Sequence, residues 1–263
     1  MTNFSTRPIL GIDFSGAALA GQKIWVAGAH CEGETLVFDQ LARAADLPAG
    51  APERDGALKA LCAWIQTFEA PVCGFDFPFS LAAPEVDAAT WRDWVLGLPA
   101  RFQEADAFRA AFEGHKRATD RAAKTPFAPL NLRLYRQTFH GIAHVLAPLL
   151  RGGALALPFE APREDATWLI EICPASLLKA ERLYFSYKGK SAAQQANRAR
   201  ILQEVTAKFD LQLAPAMQSA AHDDAEGDAL DAILAAVCAK RALEQDDWTA
   251  RGKTEQLEGR VYF

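Results

Sequence analysis

The chain has 263 residues, half of them apolar and 23% charged, an ordinary globular composition that excludes an intrinsically disordered chain. No apolar run approaches the ~20 residues of a membrane span. A formal charge of −5 argues against a protein that coats nucleic acid nonspecifically.

Residues 1–8 are short and polar and lead straight into a strand-like segment, so no signal peptide is expected and the expected compartment is the cytoplasm. Residues 9–14 form an apolar run closed by a turn at Ser15 and Gly16, which reads as a buried strand. Residues 23–29 and 35–38 are two more strands around a turn at 32–34, and links this short require an antiparallel meander. A helix fits residues 55–68, with Leu58, Leu61, Cys62 and Ile65 on one face. Residues 72–77 are the next buried strand, stopped by Pro78.

Residues 84–150 are mostly helical and rich in Trp, Phe and Arg, which suggests an insertion packed over one end of the sheet. Within it, residues 114–140 hold six basic residues against one acid, a net +5 that leaves −10 for the remainder. Such a face suits an anionic substrate, or is simply a solvated helix surface. Residues 168–173 are a strand closed by Pro174. Helices follow at 175–183 and 191–209, then a polar loop at 219–227, a strong helix from 228 to about 243, and an edge strand in the last six residues. The cysteines (Cys31, Cys62, Cys73, Cys173 and Cys238) form no CxxC pair and read as core residues in a reducing compartment.

The right-handed crossover rule makes the fourth and fifth strands parallel to the first. The expected fold is therefore α/β, with a mixed five-stranded sheet of order 3-2-1-4-5 flanked by helices. The insertion falls between strands four and five of a single domain spanning 1–263. This is the connectivity of the RNase H-like fold.

Each parallel strand has an acid near its C-terminal end: Asp13, Asp76 and Glu171. Ligands of open α/β sheets bind outside those ends. Acids converging there would repel one another, and a bound cation removes that cost; oxygen ligands suit Mg2+ or Mn2+. Asp228 and Asp231 open the last helix three residues apart, on one face. Each acid has a plainer alternative. Turn amides could satisfy Asp13 and Asp76, and an arginine of the insertion could pair with Glu171. Asp228 could cap its helix, and Asp231 could make a structural hydrogen bond.

The segments GIDFSGA, GFDFPFSL, EICPAS, YKGK, GDALDAILAAVCA and EGRVY, in this order, resemble the DUF429 family of predicted RNase H-like nucleases. The resemblance implies an arrangement similar to the RuvC-type resolvases and two-metal hydrolysis of a phosphodiester. Asp13, Asp76, Asp228 and Asp231 would then be the metal ligands and Glu171 a further catalytic acid. Lys116, Arg117, Arg121, Lys124 and Lys188 would neutralise phosphate. The implied partner is nucleic acid or another phosphodiester, with no membrane and the oligomeric state open. Two rivals stand beside this reading. An ATP-dependent phosphotransferase of the actin and sugar-kinase class would need a second such domain. A non-catalytic scaffold would be marked by loss of acids.

Overall fold

The computed structural model describes residues 7–263; most of the N-terminal segment read above as lacking a signal peptide, residues 1–6, lies outside them. The strands are β1 (Ile9–Asp13), β2 (Trp25–Glu32), β3 (Thr35–Arg43), β4 (Val72–Phe75), β5 (Leu155–Leu157), β6 (Trp168–Ile172), β7 (Leu211–Gln212) and β8 (Val261–Tyr262). They form one sheet of order β5-β6-β4-β1-β2-β3-β7, with β8 also beside β6. β1, β2 and β3 are antiparallel, whereas β4 and β6 run parallel to β1. The expected order 3-2-1-4-5 is thus present, with β6 as its fifth strand. The sheet is nonetheless eight-stranded, not five-stranded. The edge additions β5 and β7 are three and two residues long, too short to show a period of two.

The helices are α1 (Arg54–Ile65), α2 (Trp91–Arg101), α3 (Ala105–Ala110), α4 (Ala118–Ala122), α5 (Tyr135–Gly141), α6 (Ala147–Arg151), α7 (Pro174–Ala180), α8 (Ala192–Phe209), α9 (Pro215–Asp223), α10 (Asp228–Gln245) and α11 (Lys253–Glu258). Helices α2 to α6 lie between β4 and β5 in the chain. α9 corrects the expected loop at 219–227: Pro215 at its first position fixes the first turn, and the helix runs to Asp223 before the chain turns. Among the described residues no helix is long and apolar enough to cross a membrane, and all five cysteines are free.

Side chains alternate across the sheet, which splits the core in two. Leu10, Ile12, Cys73, Phe75 and Leu169 pack with α1 and the insertion. Ile9, Val72, Ile170 and Ile172 pack on the other face with α10. Two glycines decide how close α10 comes. A Cβ at Gly11 would lie 2.3 Å from the Ala232 carbonyl oxygen and the Ala236 amide nitrogen, and one at Gly74 3.0 Å from the Ala235 carbonyl oxygen. The small-residue face of α10 therefore rests on bare backbone at β1 and β4. This close seat brings the first turn of α10 to the carboxyl end of β1.

Candidate metal centre

Asp13 ends β1, two residues beyond Gly11, so its side chain takes the same face of the sheet, toward α10. Asp76 follows β4 two residues beyond Gly74 and is aimed the same way. Asp228 and Asp231 arrive from the first turn of α10. One carboxylate oxygen from each of Asp13, Asp228 and Asp231 lies within 4.8 Å of the other two. Asp76 lies outside this triad but lines the same cleft of about 810 Å3. Asp13 is 8% exposed and Asp231 3%, so the charges are crowded in a poorly solvated place. Burial first, then repulsion from Asp228, Asp231 and Asp76, holds the Asp13 carboxyl well above the usual carboxylate range. Burial and Asp231 push Asp76 up to about 7.

The internal counter-charge is Lys188. Its Nζ lies 2.6 Å from Asp231 Oδ2 and donates to Asp228 Oδ1 at 3.2 Å. Burial works to lower its pKa, but Asp231 and Asp13 outweigh it and hold the ammonium above the usual lysine range. Tyr187 donates its hydroxyl to Asp231 Oδ1 at 2.7 Å. The loop carrying both residues is pinned by the buried Arg198, which donates to the carbonyls of Tyr187, Gly189 and His222. Asp231 thus holds two partners already, so both readings of it have a basis in the contacts. Helix capping, the alternative for Asp228, falls to Asp224, whose Oδ2 accepts the Ala229 amide at 3.0 Å.

Glu171 stands apart. It is paired in register with Phe75, and Phe75 with Ile12. In a parallel ladder such partners share a face, so Glu171 points away from α10. Its carboxylate takes a bidentate pair from Arg117 and the Phe79 amide. Arg117 corrects the expected phosphate contact: it is fully buried, and it also donates to Asp120 at 2.7 and 3.0 Å and to the Glu258 carbonyl. Burial opposes its charge, but Glu171 and Asp120 outweigh that and keep it ionised. Lys116 is likewise turned inward, donating to the Thr125 carbonyl at 2.6 Å. Arg121 and Lys124 are exposed and do not line the cleft. The basic segment borders the cleft through Arg117, Asp120, residues 125–127, Leu134 and Gln137. Among these only Arg117 is a cation, and it is neutralised.

Sequence reasoning missed Glu258 and Tyr187. Glu258 accepts the Ala118 amide at 2.6 Å and the Thr119 amide at 3.2 Å, and its other oxygen accepts the Ala83 amide. It thereby fastens the start of α4 to the C-terminal segment, next to the Arg117 cluster. An acid 139 and 140 residues away from the amides it caps leaves no local signal in the sequence.

Two outcomes are expected in the metal-free protein. Lys188→Met should lower Tm by a few degrees and enlarge the rise in Tm on adding Mg2+, because the cluster then depends wholly on added cation; equal Mg2+ responses in thermal melts would remove the counter-ion role. Asp76 gives a pH signature. Its folded pKa, about 7, is raised above its ordinary 3.8. The associated stability is therefore full below the ordinary value and is lost as pH rises through about 7. Asp76→Asn should flatten the decline of Tm between about pH 4 and about pH 7, and parallel declines in the two proteins would contradict this.

The geometry defines an α/β protein with an acidic cleft at the carboxyl ends of parallel strands, able to hold a metal ion. The chain belongs to the family described as "Protein of unknown function (DUF429)", which it matches over residues 11–257. No curated protein and no solved structure matches it.

Proposed function

We propose that this protein is a divalent-metal-dependent hydrolase of phosphodiester bonds, built on an RNase H-like arrangement of its sheet. The observation that carries this reading is the Asp13, Asp228 and Asp231 triad, within 4.8 Å at the end of β1. Three support points go with it. The donor set is all carboxylate oxygen, which suits Mg2+ or Mn2+ over softer ions. Among the described residues no hydrogen bond reaches the Asp13 carboxylate, so a cation would fill an unmet need. The strand order β3-β2-β1-β4-β6 with acids arriving from α10 is the connectivity expected of that fold.

Asp13, Asp228 and Asp231 would hold the ion, with Asp76 beside them. A bound divalent cation supplies charge neutralisation at phosphoryl oxygens and acidifies water. The chain's own groups do the rest. Asp76, poised near neutrality, can take up or release a proton at its carboxylate. Lys188, whose side chain is half exposed, can turn from the acids to a phosphate oxygen. Glu171 and Arg117 are positioning residues that fix β6 against the insertion.

A panel of single- and double-stranded DNA and RNA, with bis(para-nitrophenyl) phosphate, tests the reading in Mg2+ and in Mn2+ against EDTA. Cleavage of at least one substrate that EDTA abolishes is expected. No metal-dependent cleavage of any would overturn it.

A further inference from the structure

Seven carboxylates and three cations line the cleft, and every one of those cations is paired. Lys23 meets Glu226, Arg117 meets Glu171 and Asp120, and Lys188 meets Asp228 and Asp231. The cleft floor therefore offers a polyanion little unpaired positive charge. Among the described residues, three cations without an acidic partner lie further out, each over an aromatic ring that lines the cleft. Arg133 lies 5.6 Å from the Phe127 ring centre, Lys179 5.1 Å from Tyr184 and Arg200 4.3 Å from Phe185. Tyr184 is 52% exposed, unusual for a ring of its size. Lys179 also donates to the Lys124 carbonyl at 3.0 Å, which ties α7 to the segment carrying Phe127.

We propose that this rim is a platform for single-stranded nucleic acid, on which bases stack against Phe127, Tyr184 and Phe185 while Arg133, Lys179 and Arg200 meet the phosphates. The inference rests on the phosphodiester reading of the acids below the rim. Rings interleaved with cations are the chemistry that binds unpaired strands, because every base has a face to stack and every linkage a charge. A duplex keeps its base faces hidden and presents only backbone and groove edges. With the cations that line the cleft all paired and a chain of net −5, charge alone would not hold a duplex there. The triad also lies in a recess, with Asp13 and Asp231 nearly buried, which a splayed strand enters more readily than a rigid rod.

Fluorescence anisotropy in Ca2+ tests the platform, using a labelled DNA strand of about 12 nucleotides, the same strand made abasic, and the corresponding duplex. The full-length protein should bind the intact strand more tightly than either competitor. Tyr184→Ala and Phe185→Ala should each weaken that binding by about tenfold, and Tyr184 is exposed enough to lose its ring without disturbing the core. Equal binding of the abasic strand or the duplex, unchanged affinity in Tyr184→Ala, or no binding of the strand would each overturn the proposal. Strand binding without cleavage in Mg2+ or Mn2+ would refute the hydrolytic reading and leave the platform intact. Cleavage with base-independent binding would do the reverse.

Discussion

Arg117→Met is expected to destabilise the protein by about 3–5 kcal/mol, the usual cost of leaving buried charge without its partner. Arg117 is fully buried and faces both Glu171, 4% exposed, and Asp120, 1% exposed. Methionine fills much of the volume and leaves two anions facing one another in a dry place. For a chain of this size the loss should lower Tm on the order of 10 °C. The triple change Arg117→Met, Glu171→Gln and Asp120→Asn should recover part of it, because the residual cost is electrostatic and not steric. A single variant that melts with the wild type would show that the triad contributes no more than an exposed pair. The same arginine donates to the Glu258 carbonyl at 3.2 Å, so the rim segment at 125–127 should loosen along with α4.

The second large effect concerns activity. Under the proposed function, Asp13→Asn should cut metal-dependent hydrolysis by at least roughly 100-fold, since even residues one shell removed from a metal are worth about 10–100-fold. Its metal-free Tm should hold or rise, because an isosteric amide removes one repelling charge from a buried cluster. A variant that keeps its activity would take Asp13 out of the metal centre. A variant that loses both activity and metal-free stability would assign Asp13 a structural part instead.

The order of the central strands was legible because buried parallel strands are apolar runs and right-handed crossovers leave one arrangement. Asp13, Asp76 and the α10 acids were legible as a group for a related reason. Asp13 and Asp76 each follow a glycine by two residues, and that glycine marks the face on which α10 rests. Glu171 follows Leu169 by two residues, and with no glycine it falls on the opposite face of the pleat. The pattern that separates it was in the sequence, although grouping by strand end alone put all three together. The fate of the basic segment was not legible. Whether Arg117 meets phosphate or Glu171 depends on α4 folding back over β6, a contact 54 residues apart. Lys188 could be read as a phosphate ligand, but its present place among the acids needs the turn after α7 that only tertiary packing fixes.

Calorimetric titration of Mn2+ into the metal-free protein tests most directly the cation site formed by Asp13, Asp228 and Asp231. The wild type should take up at least one ion per chain with measurable heat, and Asp13→Asn should lose that uptake while remaining folded by circular dichroism. No Mn2+ uptake by the wild type, or identical uptake by Asp13→Asn, would contradict the account.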